Sequence, residues 1–398
     1  MTAEPLLDGT PAAPRMSGWL DRLRDLRNRK VADPAFRRWA ARFPLTRLFA
    51  RRQAAALFDL TAGFVYSQIL RACVEVELFG LLAPGPLAPE VIAARIGLSR
   101  EATLRLLRAA SSLDLVEPRR DGCFALGPLG AAMVANPGVA AMIRHHDMLY
   151  RDLEDPVALL AGRFQPELNR FWAYAGDRGG DVRLPGPADH ADSLGHAGYT
   201  ALMAASQAFV AAEILDAYPL GRHRHILDVG GGDASFLIAA GAHAPQLALS
   251  LFELPEVAGI ARERLAAAGL GRRSTVIGGS FLADPLPGGA DLVTLNRILH
   301  DHNDDEVLTL LRAVRRAIAP GGTLLVAEPM AGTQGARASG DAYFGFYLLA
   351  MGQGRPRTLE EISAMLAVAG FEHVTAWPTH TPLIARLLTA KPRCSGPF

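Results

Sequence analysis

The stretch HILDVGGGDA, residues 225–234, decides the architecture of this 398-residue chain. A largely apolar run ends in Asp228, Gly230, Gly231 and Gly232 follow, and a helix-compatible run from Ser235 to Gly241 begins at once. The order is strand, tight turn, helix. Glycines let the backbone approach a ligand closely, and a helix that starts there offers free N–H groups. A second apolar run, Leu247 to Phe252, leads into Glu253, where a carboxylate can accept both hydroxyls of a ribose. Together these describe a nucleoside site on a doubly wound α/β sheet.

The spelling then selects the nucleoside. A dinucleotide turn reads GxGxxG and a phosphate loop needs GK[ST]. DVGGGDA has neither, and Asp233 stands where it would repel a pyrophosphate. Carboxylates beside the turn attract a cation, and S-adenosylmethionine carries both a sulfonium and an ammonium. It is the expected cofactor; the plain alternative is a generic Rossmann-like turn for another ligand.

Half of the residues are hydrophobic and the net charge is +1, which supplies a large core and argues against general nucleic-acid binding. Charge is uneven, however. From Arg15 to Arg52 there are twelve Lys or Arg against three Asp, a surplus of nine. Cys73, Cys123 and Cys394 are far apart and lack metal-ligand spacing, which fits a reducing cytoplasm and no metal site. The N-terminal residues lack the basic start and apolar core of a signal peptide. The uncharged stretch Gly122 to Ile143 is long enough to span a bilayer, yet it holds Pro128, Asn136 and Pro137 and reads as a turn-rich segment.

Three parts are expected: a basic N-terminal extension over 1–52, disordered at its start, a mostly helical domain over 53–215, and a cofactor domain over 216–391. In the helical part Leu57, Leu60, Phe64, Val65 and Ile69 recur at helical spacing. Pro89 to Ile96, Ser99 to Leu113 and Val116 to Leu126 read as helix, helix and small hairpin, a winged-helix pattern. Arg100, Arg105 and Arg108 on the second helix permit a DNA-binding reading, a regulator that senses a nucleoside. The density of apolar residues there favours a structural or dimer-forming role. Beyond 222, strands are expected at His225 to Val229, Leu247 to Phe252, Ser274 to Ile277, Leu292 to Leu295, Thr323 to Ala327, Val374 to Trp377 and Ile384 to Thr389.

The ordered motifs DVGGGDA, FELPEV, GGSFLADPLPGGAD, LNRILHDHNDDE, APGG and VAEPM resemble the S-adenosylmethionine-dependent O-methyltransferases with a winged-helix dimerisation domain. RWAARFPLTRLFARRQAAALFDLTAGFVYSQIL, YTALMAASQAFVAAEIL and DAYFGFYLLAMGQGRPRT are more narrowly similar to the hydroxyneurosporene and demethylspheroidene O-methyltransferases of purple-bacterial carotenoid synthesis. The resemblance implies a Rossmann-like class I methyltransferase domain with a mostly parallel sheet, a mainly helical dimerisation domain before it, and a homodimer. It implies methylation of the tertiary C1 hydroxyl of an acyclic carotenoid; an aromatic polyketide or other phenol is the alternative acceptor.

By that resemblance Asp228, Gly230, Gly231, Gly232, Glu253, Leu254, Ser280, Phe281, Asn296 and Arg297 fall in the cofactor site, His300 is the base and Glu328 its partner. Ser280 stands where an Asp is usual, His302 replaces a Trp, Pro356 replaces a second Glu, and Ala234 replaces the last glycine of the turn. His302, His145 and His146 read as polar lining or ordinary surface, and Asp301 and Asn303 as turn residues. The plain reading of His300 itself is a cap for a helix starting near Asp304.

A carotenoid needs an apolar pocket. Met203, Tyr343, Phe344, Tyr347 and Met351 are expected to touch it, with Met142, Met148, Leu149, Phe209, Phe346 and Leu348 as further candidates. A Met and aromatic stripe is more often plain core. The interleaving of Arg and Lys with Trp19, Leu23, Phe36, Trp39 and Phe43 suits either a solvated or dimer-forming arm or a segment lying on anionic lipid at the inner membrane.

Overall fold

The computed structural model describes residues 18–171 and 207–393. Met203, Cys394 and the expected disorder over 1–14 lie outside the described residues.

The chain opens with helices α1 (Trp19–Ala32), α2 (Pro34–Arg42) and α3 (Arg47–Glu75). Asp33 starts α2 by accepting the Ala35 N–H at 2.8 Å, with Pro34 at the first helical position where its missing N–H costs nothing. The basic extension is therefore helical where it is described, and the boundary expected at 52/53 falls inside α3. Helix α4 (Leu78–Leu82) leads to the winged-helix unit, α5 (Pro89–Ile96), α6 (Arg100–Ser111) and the antiparallel hairpin β1 (Val116–Pro118) with β2 (Phe124–Leu126). Ser99 caps α6 through the Ala102 N–H at 3.2 Å. Thr103, Leu107 and Ala110 turn inward onto a core of Leu78, Leu82, Ile92 and Val116.

The segment expected to be turn-rich, 122–143, instead holds β2, α7 (Pro128–Val134) and the start of α8 (Pro137–Asp152). Each helix begins on a proline, which explains why the residue pattern looked like turns. Among the described residues no helix is long and apolar enough to cross a membrane.

The second half is a seven-stranded sheet in the order β5-β4-β3-β6-β7-β9-β8. Its strands are β3 (His225–Val229), β4 (Ala248–Glu253), β5 (Ser274–Gly278), β6 (Leu292–Asn296), β7 (Thr323–Glu328), β8 (Phe371–Trp377) and β9 (Arg386–Pro392). The first five run parallel; β9 inserts antiparallel between β7 and β8. Parallel strands buried on both faces read as continuous apolar runs. Helices cover both faces and give two cores, one around Phe252, Leu295 and Leu310, the other around Phe236, Leu249 and Leu325. Strand order reverses beside β3, so a crevice opens between the carboxyl ends of β3 and β6, the usual ligand position in such sheets.

Candidate active site

Acidic and amide side chains collect at those carboxyl ends. Asp228 on β3 is completely buried, and its Oδ1 accepts from Thr294 Oγ1 at 2.6 Å and Asn296 Nδ2 at 3.0 Å. Its Oδ2 and the Oδ1 of Asn296 are buried acceptors that find no hydrogen-bond partner among the described residues. Burial, with nearby Glu253 adding to it, pushes the Asp228 carboxyl up to about 7 against the effect of its two donors. Gly231 must lack a Cβ, since one would collide with Asp228 Oδ2 and lie 2.6 Å from Leu251 Cδ1. Gly230 and Ala234 both hold positive φ, 70° and 66°.

Glu253, at the end of β4, is buried and folds onto the turn: Oε2 accepts the Gly232 N–H at 2.7 Å and Oε1 the Leu254 N–H at 2.8 Å. Phe281 is buried and meets His302 edge-on at 5.1 Å. The Ser280 N–H donates to Asp284 Oδ2 at 2.8 Å, so a carboxylate does stand at this turn, four residues after the position where one was missed. Asp233 departs from expectation. It is ion-paired with Arg264 and caps Ser235, so the attraction of the turn for a cation rests on Asp228 and Glu253.

His300 lies on a short loop between β6 and the helix Asp304–Ala317. Its Nδ1 bonds Glu328 Oε2, and its Nε2 is 3.2 Å from Asp301 Oδ1. Glu328 is fixed from the other side, its Oε1 accepting the N–H groups of Ile298 at 2.9 Å and Leu299 at 2.7 Å. Burial alone would lower the His300 pKa, but Asp301 and Glu328 outweigh it and hold it above the ordinary histidine value. Burial pushes the Asp301 carboxyl up. His300 caps nothing: the following helix is capped by Asn303 with Glu306 closing a capping box. Asp301, expected as a turn residue, faces the imidazole.

The GRPRT segment clamps this loop from behind. The Arg355 N–H donates to His300 O at 2.9 Å, and buried Arg357 reaches Leu299 O, His302 O at 2.7 Å and Asp304 Oδ1 at 2.7 Å. Gly354, at φ 76°, comes so near His300 O that a side chain would collide with it.

His300, Asp301 and Arg297 form one side of a cavity of about 630 Å³ that also receives Tyr343, Phe344, Tyr347 and Met351. Phe344 meets His300 edge-on at 5.7 Å. A π-helical turn over 338–343 turns this aromatic group inward. The opposite wall comes from α8, including Met142 and Ile143, and Phe209 lines it too. Met148, Leu149, Phe346 and Leu348 pack instead in an apolar cluster that also holds Leu159 and Leu168. His145 and His146 are not surface residues: they bond the hydroxyls of Tyr347 at 2.9 Å and Tyr343 at 2.7 Å. Burial drops the His145 pKa to about 4, so that ring is neutral.

A family model described as an O-methyltransferase domain matches residues 154–372, and one described as an O-methyltransferase dimerisation domain matches 58–136. The chain belongs to the O-methyltransferase family. This O-methyltransferase is 44% identical over 351 residues to a demethylspheroidene O-methyltransferase of Cereibacter sphaeroides, covering 88% of this chain and 90% of the relative. It is 41% identical to the demethylspheroidene O-methyltransferase of Rhodobacter capsulatus, covering 88% and 85%. The solved structure of CalO1, a methyltransferase in calicheamicin biosynthesis in its SAH-bound form, superimposes with a TM-score of 0.70 at 26% identity, covering 86% of this chain and 98% of that one.

In this O-methyltransferase the fold brings Asp228, Glu253, Ser280, Phe281 and Asn296 to one crevice, and Arg297, His300, Tyr343, Phe344, Tyr347 and Met351 to the adjoining cavity. Sequence reasoning missed Asp301, Asp284, Gly354 and Arg357. Nothing local signals Arg357, which stands among Gln353, Arg355, Glu360 and Glu361 and reads as one more surface charge, because the carbonyls that bury it lie more than fifty residues earlier.

Proposed function

We propose that the enzyme transfers a methyl group from S-adenosylmethionine to the tertiary C1 hydroxyl of an acyclic carotenoid of the hydroxyneurosporene or demethylspheroidene type. The observation that carries this reading is a buried His300 between two carboxylates at the edge of a large apolar cavity, in a chain 44% identical to a demethylspheroidene O-methyltransferase. For the donor, the fit lies in Asp228 Oδ2 and Asn296 Oδ1. Two unsatisfied buried acceptors call for a cation with N–H donors, such as an ammonium, and would repel a phosphate. Glu253 beside the Gly232 amide would take the ribose hydroxyls and Phe281 would pack on the adenine. Bound there, S-adenosylmethionine supplies an electrophilic methyl whose sulfur leaves neutral, so no acid is needed for the leaving group.

The protein's remaining task is orientation and one proton. Alignment of oxygen with the methyl carbon can supply several kcal/mol of the barrier, up to about 7–11. The aromatic wall from Tyr343 to Tyr347 and α8 opposite it hold the acceptor chain and exclude water. A tertiary alcohol is far too weak an acid to ionise beforehand, so His300 takes its proton as the C–O bond forms, through Nε2, displacing the contact with Asp301. Glu328 holds the ring through Nδ1 and stabilises the imidazolium. The reading places the enzyme in the cytoplasm as a homodimer, in peripheral contact with anionic lipid where its acceptor dissolves.

The test is incubation with methyl-labelled S-adenosylmethionine and two acceptor sets, hydroxylated acyclic carotenoids and phenols, followed by mass analysis. Label in a carotenoid methyl ether is expected; label only in phenols would sink the substrate assignment.

A further inference from the structure

Helices α1 and α2 and the first turn of α3 carry apolar side chains that no part of the described chain covers. Trp19 is 70% exposed, Trp39 51% and Leu45 84%, and Leu20, Leu23, Leu26, Leu48 and Phe49 are more than half exposed as well. On α1 the helical period puts Trp19, Leu20, Leu23 and Leu26 on one face, shared with Arg27 and Lys30, while Asp21 and Asp25 lie opposite. On α2 the rings of Phe36, Trp39 and Phe43 form a row, Phe36 tilted against Trp39 at 5.5 Å and Trp39 stacked on Phe43 at 5.0 Å, with Arg37, Arg38 and Arg42 on the other side. The hydrogen bond from Thr46 Oγ1 to Ala40 O, 2.8 Å long, holds α2 against the start of α3.

We infer that this face docks on an anionic lipid bilayer, with the Arg and Lys side chains on lipid phosphates and the Trp, Phe and Leu side chains at the level of the upper acyl chains. A second copy is a poor occupant. A two-fold interface sets a patch against itself, and here, over residues 18–52, eleven Arg or Lys against three Asp leave eight surplus positive charges to meet eight more. The stripe farther along α3, Leu57, Leu60, Phe64 and Val65, has no such obstacle: from 53 to 70 the sole charged residue is Asp59, and the dimerisation model begins at 58. The two exposed faces thus divide by charge between a bilayer and a partner subunit. Nucleic acid would use the rings of Trp19, Trp39 and Phe43 but leaves Leu20, Leu23, Leu26, Leu45 and Leu48 unaccounted for, since they offer no ring for a base to stack on, whereas a bilayer buries both sets. Amphipathic helices with aromatic anchors and basic flanks draw binding energy from both apolar burial and anionic headgroups.

This deepens the carotenoid reading by saying where the acceptor is met, and it depends on that reading for its purpose but not for its test. The full-length enzyme is spun down with vesicles of phosphatidylcholine, with and without phosphatidylglycerol, in low and high salt. Binding that requires phosphatidylglycerol and weakens with salt is expected. The triple variant R37E/R38E/R42E should bind such vesicles about a hundredfold more weakly, and W39S/F43S should lose binding even in low salt. Both should keep the dimer mass and the rate on detergent-dispersed acceptor, which shows that they fold. Wild-type binding that ignores lipid charge, a triple variant that binds vesicles as wild type does, or one that falls to monomers with vesicle binding intact overturns the inference. Failure to methylate any carotenoid alongside lipid-dependent sedimentation would instead overturn the substrate reading alone.

Discussion

His300 sits between Asp301 and Glu328, and both carboxylates favour its charged form over the neutral one that a base requires. Turnover should therefore rise with pH through a pKa above the ordinary histidine value. Glu328→Gln removes one of the two carboxylates, so the rising limb should move to lower pH while the maximal rate falls. The folded-state pKa is raised, so the stability that this pair contributes is full below the unfolded histidine value and is lost as pH climbs through the folded one. A pH–rate series on both proteins checks the first point and thermal midpoints at several pH values the second. His300→Ala should lower turnover by about 10²–10⁴-fold with donor affinity unchanged in calorimetry; unchanged turnover would reduce His300 to a structural residue. Gly231→Ala works the other way. Its methyl would strike Asp228 and Leu251, at a cost of about 1–3 kcal/mol in overpacking, and S-adenosylmethionine affinity should fall about tenfold or more. These residues were legible because local rules dictate them: a glycine turn must follow a strand of this kind, and an acid must close the next one. Asp233 misled for the same reason, since its partner Arg264 lies on a helix that no local pattern ties to the turn.

Among elements, the strands were the easiest to read. A strand of a doubly covered parallel sheet has to be apolar along its whole length, and five of the seven expected strands begin within one residue of their observed starts. The short loop that carries His300 was harder, because it is held by GRPRT, more than fifty residues later in sequence. Arg357 fills three acceptors there, two of them backbone carbonyls left by the tight turn. Arg357→Ala should strand these groups at a cost of about 2–4 kcal/mol, seen as a lower thermal midpoint. Arg357→Lys, keeping the charge without the planar fork, should lower turnover more than it raises KM for the acceptor, because it loosens His300 and not the cavity. Equal loss in both would mean that the segment shapes the pocket instead.

At the scale of the whole molecule, the stripe on α3 was expected from its period but its destination was not. Leu60 is 83% exposed and Phe64 70%, so in the single chain the helix presents these side chains to water. Sequence periodicity reports that a face is apolar and is silent on whether the same chain or another one covers it. Leu60→Glu with Phe64→Glu should convert the dimer to monomers in light scattering, while R37E/R38E/R42E leaves the mass unchanged. Persistence of the dimer in the former would move the subunit contact elsewhere.

The crevice proposed for the donor is built from strand ends of the sheet and the turns that follow them, whereas α8, which packs with the winged-helix unit, supplies one wall of the cavity proposed for the acceptor. Choice of acceptor is therefore separable from the handling of the methyl donor. Exchanging the α8 surface at Met142 and Ile143 for that of a relative with another acceptor would retune selectivity and leave the adenosyl grip as it is. A scaffold divided in this way can diversify its chemistry one wall at a time.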